Sequence, residues 1–245
     1  MDFARHKQQI DTNGFTIINE VFTLDQIDAI LSAITTADSS RPTFRKSSGI
    51  FAIRQFLKEI PEAGSAIFTP AFIDLIQGIF GSGNFVTKSI YFDKPEQSNW
   101  FVAYHQDLTI SVKEKIEIDG FGPWTVKQRQ FAVQPPLEIV QNNFTIRIHL
   151  DETTSQNGAL KVIRNSHSKG IYRPENIDWE TEEEAVCEVR KGGIMIMRPL
   201  LLHASDRTTN DRKRRVIHIE FGKDELPEGL EWSEKMLFEK REFLV

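Results

Sequence analysis

Apolar residues recur at helical spacing early in the chain and at strand spacing later. Ile27, Ile30, Leu31 and Ile34 follow the capping-box sequence Thr23-Leu24-Asp25-Gln26, which predicts a helix over about residues 24–36. Thr69-Pro70, then Phe72, Ile73, Ile76, Ile79 and Phe80 with Gly81 just beyond, predict a second helix. Both stripes read as faces that pack against a sheet. After residue 84 the pattern shortens to β-like runs at 85–92, 144–150, 159–163, 194–198 and 214–221, separated by turn sequences such as Ser155-Gln156-Asn157-Gly158. Helices first and strands afterwards, with no regular helix between strands, point to an antiparallel sandwich or barrel flanked by N-terminal helices.

Two runs show which face is which. In 144–150, Phe144, Ile146, Ile148 and Leu150 share one side while Thr145, Arg147 and His149 share the other. In 214–221, Arg215, Ile217, Ile219 and Phe221 alternate with Arg214, Val216, His218 and Glu220. The polar sides could meet solvent or line a wet pocket.

Composition narrows the classes. The 245 residues read as one unit: a helical N-terminal part over 1–84, a β core over 85–222 and a tail over 223–245. No uncharged apolar stretch reaches the roughly 18 residues of a membrane span, and the start MDFARHKQQIDTNG has no hydrophobic signal segment. Cys187 stands alone, so no intrachain disulfide or cysteine metal cage can form, and a reducing, cytoplasmic setting is expected. A formal net charge of −5 gives no general attraction for nucleic acid or anionic membranes. Oligomeric state is not legible.

Any metal must therefore be held by His, Asp or Glu. In His105-Gln106-Asp107 the imidazole and carboxylate are two residues apart, so on an extended chain both project to one side. His203, after Arg198-Pro199 and an apolar run, supplies a third ligand, and two His with one Asp form the facial set of non-haem Fe(II) oxygenases. A second His-x-Asp, His149-Leu150-Asp151, competes. In a double-stranded β-helix, several strands separate the His-x-Asp from the distal His. Three predicted strands lie between Asp107 and His203 but only two between Asp151 and His203, which favours the first motif and leaves His149 lining the pocket or core. Arg214, just beyond His203 on the polar side of its strand, is placed to pair with a carboxylate deep in a barrel. Arg212, Lys213 and Arg215 invite the rival reading of a polyanion patch, which alternation weakens by sending Arg214 and Arg215 to opposite faces. Ser205 lies on the same side as His203 and could add a hydrogen bond to that carboxylate.

These residues resemble the phytanoyl-CoA dioxygenase family of Fe(II)- and 2-oxoglutarate-dependent oxygenases over nearly the whole chain. The resemblance runs through Asn13-Gly14-Phe15, Phe92-Asp93-Lys94 leading to Asn99-Trp100, and HQDLTI from His105. It continues through GFGPW from Gly120, VQPP from Val133, RIHLDE from Arg147, NGAL from Asn157, NSH from Asn165, RPLLLHAS from Arg198 and RRVIHIEF from Arg214. It implies a mainly β double-stranded β-helix (jelly-roll, cupin-like), with His105, Asp107 and His203 binding iron. It further implies Arg214 as anchor for the distal carboxylate of 2-oxoglutarate, with Ser205 and Gln106 as further cosubstrate contacts. Where some members have an aromatic residue beside the cosubstrate, this chain has Arg147. The implied reaction consumes 2-oxoglutarate and O₂, releases succinate and CO₂, and hydroxylates a substrate C–H bond. Asp107 argues against a halogenase, which needs that coordination position for halide.

The family resemblance leaves the substrate open. The long stretch 108–142 is a candidate lid, with Trp124 as its best substrate contact. Arg147 and His149 are candidate pocket groups, and Lys94, Trp100 and Arg198 candidates for the mouth. An acyl-CoA would call for a basic strip at that mouth, whereas the one tight basic cluster, Arg212 to Arg215, is split between faces. A small or medium-sized organic molecule is therefore expected. The rivals are a non-enzymatic barrel binding a metal or ligand as sensor or scaffold, which would not need Arg214, and a zinc hydrolase, for which no general base is evident.

Overall fold

The computed structural model describes residues 1–47, 50–96, 101–127 and 130–238. The chain opens with α1 (Phe3–Asn13), β1 (Phe15–Ile18) and α2 (Leu24–Thr36). Then come β2 (Phe44–Ser47), β3 (Ile50–Arg54), α3 (Phe56–Glu59), α4 (Pro61–Ile67) and α5 (Pro70–Phe80). The β-rich part runs through β4 (Phe85–Lys94), β5 (Val102–His105), β6 (Ile110–Val112), β7 (Trp124–Lys127), β8 (Gln130–Val133), α6 (Leu137–Asn142) and β9 (Phe144–His149). It closes with β10 (Leu160–Ile163), β11 (Glu184–Cys187), β12 (Ile194–Met197), β13 (His203–Ser205) and β14 (Arg214–Gly222).

Both helices expected from the sequence form with the caps that predicted them. The Thr23 hydroxyl accepts from the Gln26 amide at 3.2 Å while the Gln26 side chain accepts from the Thr23 amide at 2.8 Å. These bonds satisfy backbone donors that the first turn of α2 leaves without helical partners. Pro70 occupies the first turn of α5 and Gly81 follows its end. Between α1 and β1 the chain turns at Gly14 with φ 85°, where a Cβ would come within 2.6 Å of His167 Nδ1, so only glycine fits.

Antiparallel pairing builds a seven-stranded sheet ordered β1-β12-β9-β14-β4-β3-β2, a four-stranded sheet ordered β11-β10-β13-β5, and a three-stranded sheet ordered β6-β8-β7. The first two face each other as the jelly roll expected from the sequence. Alternation decides what each side of the large sheet meets. Phe144, Ile146, Ile148, Ile217, Ile219 and Phe221 join Ile27, Ile30, Phe72 and Ile76 in the main core, so α2 and α5 back the outer face. Each such side chain contributes roughly 1.5–3 kcal/mol on burial. Their neighbours Arg147, His149, Arg214 and His218 look the other way, toward the four-stranded sheet, and are buried there.

Two expectations change. The N-terminal part is not helical only: β1, β2 and β3 complete the large sheet, and runs of four or five residues are too short to announce themselves by periodicity. The stretch 108–142, the candidate lid, carries regular structure. It forms the third sheet and α6, and Ile110, Val112 and Val133 pack with Phe85, Leu230 and Trp232 in a separate apolar cluster. No single helix among the described residues is long and apolar enough to cross a membrane.

Candidate metal centre

β5 and β13 are neighbours in the four-stranded sheet, and their register sets His105 opposite His203, with ring centroids 4.3 Å apart. Asp107 follows β5; its amide donates to the Pro199 carbonyl at 2.9 Å, and its Oδ2 stands 3.8 Å from His203 Nε2. One ligand atom from each of the three residues lies within 4.8 Å of the others. Each imidazole is held by the carbonyl two residues earlier: Nδ1 of His105 donates to Ala103 and Nδ1 of His203 to Leu201, both at 2.8 Å. That fixes the tautomer and leaves both Nε2 lone pairs bare.

The third donor is equally poised. Asp107 Oδ2 is buried with no hydrogen-bond partner among the described residues, a costly state for a carboxylate oxygen unless a cation satisfies it. Burial works against charge on Asp107, but His203, His218 and Lys88 hold its carboxyl at about 2. Burial lowers His203 to about 4, so it is a neutral imidazole at pH 7. Two imidazole Nε2 atoms and one carboxylate suit a divalent metal.

The three residues line a cavity of 140 Å³ together with Phe92, Arg147, Ser205, Arg214 and His218. Arg214 is 3% exposed and donates to the Gly158 carbonyl, as does Ser205 Oγ at 2.9 Å. Lys94, opposite Arg214 on β4, donates to the Asp206 carbonyl beside them. Gly158 has φ 85°, and a Cβ there would lie 2.5 Å from Lys94 Nζ and 2.8 Å from the Asp206 carbonyl. Burial and the Arg214 charge push Lys94 down to about 8, and burial with the Arg147 charge lowers Arg214. Like charges held together out of water favour an incoming anion.

A second buried chain borders the metal set. Arg147 donates to His218 Nδ1 at 3.1 Å, His218 Nε2 donates to Glu220 at 3.1 Å, and Lys88 donates to Glu220 at 2.7 Å. Burial opposes charge on Lys88 and Glu220, yet their pairing holds the lysine above and the carboxyl below the ordinary range. Sequence alternation placed His218 and Glu220 on the polar side; Lys88 was not singled out, and only the pairing of β4 with β14 sets it opposite Glu220.

Several expected site residues do not reach the cavity. Gln106 turns away: its amide donates to the carbonyls of Gly170 and Leu200 and accepts from the Tyr172 amide, which consumes it in loop structure. Trp124 packs in the third sheet's cluster. Arg198 faces Asp11 at 3.4 Å and lines a different surface cleft of 510 Å³, with Lys7 and Lys223, that shares no residue with the triad's cavity. His149 lies on the inner face, bonded through Nδ1 to Thr153 at 2.6 Å and held well below the ordinary range by burial and the Arg147 and Arg214 charges. Its partner in the competing motif, Asp151, is on the outer face in a two-pronged pair with Arg215 at 2.7 and 2.8 Å, so the two cannot grip one ion. Trp100 lies outside the described residues.

The structure is similar to the non-haem α-ketoglutarate-dependent epimerase SnoN from nogalamycin biosynthesis, at 13% identity and TM-score 0.67 over 93% of this chain and 90% of that one. It is similar to the carbocyclase SnoK from the same biosynthesis, at 13% identity and TM-score 0.65 over 89% and 82%. It is also similar to EctD from S. alaskensis with 2-oxoglutarate and 5-hydroxyectoine, at 17% identity and TM-score 0.68 over 89% and 75%. Comparison with curated proteins returns no match. The phytanoyl-CoA dioxygenase (PhyH) family model matches residues 10–216, and the chain belongs to that family.

Proposed function

We propose that the protein is an Fe(II)- and 2-oxoglutarate-dependent dioxygenase that hydroxylates a C–H bond of a small or medium-sized organic molecule, releasing succinate and CO₂. The observation that carries this reading is the convergence, in one cavity, of a two-His, one-Asp donor set with a buried arginine that has no ion-pair partner among the described residues. His105 and His203 would hold the iron through Nε2 and Asp107 through its carboxylate. Arg214 and Ser205 would receive the distal carboxylate of 2-oxoglutarate. The bound iron, with 2-oxoglutarate and O₂, supplies the oxidising chemistry.

The chain's own residues supply placement. The backbone carbonyls of Ala103 and Leu201 keep the two imidazoles in the ligating tautomer, and the surrounding His203, His218 and Lys88 favour the anionic form of Asp107. Phe92, Val102 and Leu160 line the cavity with apolar surface that limits water around the reacting groups. The test is succinate formation from 2-oxoglutarate with Fe(II) and ascorbate, alongside metal binding. Wild type should bind Fe(II) and form succinate, while His105→Ala and Asp107→Ala should lose both. A protein that binds metal yet neither binds nor consumes 2-oxoglutarate would be a sensor or scaffold instead.

A further inference from the structure

The inner face of the large sheet carries more positive charge than the proposed metal and cosubstrate use. Directly opposed residues of antiparallel strands share a face. Across the sheet Arg147 is opposite His218, His218 opposite Ile90, and Ile90 opposite Arg54. One row away, Arg45 is opposite Ala52, itself opposite Phe92 of the cavity. Arg45, Arg54, Lys88, Lys94, Arg147 and Arg214 therefore look to one side, drawn from five strands. On that side Glu220 pairs with Lys88, Asp206 acts on Lys94, and Asp107 belongs to the metal set, while Arg45 and Arg54 form no ion pair among the described residues. A divalent metal and a dicarboxylate dianion cancel each other, so filling the site as proposed leaves the excess in place.

Two of these cations lie on the part of the wall that continues beyond the metal cavity. β5, which carries His105, is the edge of the four-stranded sheet, while the large sheet continues past β4 into β3 and β2. Arg54 on β3 is half-buried and its Nε is buried with no hydrogen-bond partner among the described residues; Arg45 on β2 is exposed. Neither forms an ion pair among the described residues, and burial together with the Arg45 charge lowers Arg54. Two strand spacings, about 10 Å, separate Arg54 from His218 in the cavity wall. The cavity itself, at 140 Å³, falls below the roughly 300 Å³ of common ligand pockets, so part of a primary substrate lies outside it, and the rim formed by Arg54 and Arg45 continues the wall that carries His218 and Phe92.

Building on the dioxygenase reading, we propose that the primary substrate is an organic oxyanion, a carboxylate or phosphate carrier, whose acidic group is received by Arg54 and Arg45 while its reacting carbon reaches inward to the metal triad. The basic strip that the sequence lacked as a contiguous run is assembled from separate strands.

The experiment compares a panel of monocarboxylates, phosphate monoesters and acyl-CoA thioesters, each beside its neutral amide, ester or alcohol. Thermal stabilisation reads binding without turnover, and stimulation of succinate formation reads coupling. Anionic members should stabilise wild type and Arg214→Ala alike, because the rim is separate from the proposed cosubstrate anchor, and Arg45→Gln/Arg54→Gln should lose the response. For an anion that couples, that double variant should raise KM by about tenfold or more, with partial recovery in Arg54→Lys. Which anions respond distinguishes carboxylate from phosphate carriers. Neutral partners that stabilise as well as the anions, or a double variant that responds like wild type, would overturn the proposal. Anion binding at the rim without any 2-oxoglutarate turnover would support the rim site and sink only the dioxygenase reading.

Discussion

Removing the Arg214 guanidinium tests the cosubstrate anchor directly. The side chain is 3% exposed, on the inner face of β14, and makes its protein hydrogen bond to the Gly158 carbonyl. Ser205 also donates to that carbonyl, so Arg214→Ala leaves Gly158 satisfied and the loss falls on the ligand. A buried carboxylate deprived of its charged partner loses about 2–5 kcal/mol. At about 1.4 kcal/mol per tenfold, 2-oxoglutarate affinity should drop from about 30-fold to a few thousand-fold. Titration calorimetry of 2-oxoglutarate into metal-loaded protein measures this, with metal affinity followed in parallel and expected to be unchanged. The matched control is Arg215→Ala on the outer face, which breaks the Asp151 pair. It should cost about 2 kcal/mol of stability, seen as a Tm lower by roughly 4–8 °C, and leave 2-oxoglutarate affinity alone. Unchanged affinity in Arg214→Ala together with lost affinity in Arg215→Ala would refute the face assignment of the whole strand.

The two His-x-Asp motifs separate by metal content: His105→Ala should purify without metal, whereas His149→Ala, which loses only its bond to Thr153, should retain it. Metal retained in His105→Ala and lost in His149→Ala would reverse the assignment. Buried Glu234, bonded to Ser89 and pushed by burial to about 7 from an ordinary 4.5, holds its proton more tightly folded than unfolded. Its contribution to stability is therefore full below about pH 4.5 and lost as pH rises through about 7. The Tm difference between Glu234→Gln and wild type should shift in the variant's favour between about pH 5 and about pH 8, and a pH-independent difference would count against it.

Local chemistry made much of this protein readable before any fold was known. Residues two apart on an extended chain share a side, so Phe144 to Leu150 and Arg214 to Phe221 could be divided into core and pocket faces, and the buried residues follow that division. The same rule, with the strand count, favoured His105 and Asp107 over His149 and Asp151. Gln106, between the ligands, is instead bonded to Gly170, Leu200 and Tyr172, where the family resemblance suggested a cosubstrate contact. Capping residues announced α2 and α5 because a helix end must satisfy its own backbone locally.

What alternation cannot report is which strands become neighbours, since that depends on pairings between distant segments and on the closing of the barrel. Only the tertiary structure set His203 against His105, joined Arg147, His218, Glu220 and Lys88 into one buried chain, and drew Trp124 into a sheet of its own. It alone gathered Arg45, Arg54, Lys88, Lys94, Arg147 and Arg214 onto one wall. Each of those cations is ordinary in its own segment; strand order converts them into a single field, because charges separated along the chain interact by distance in space.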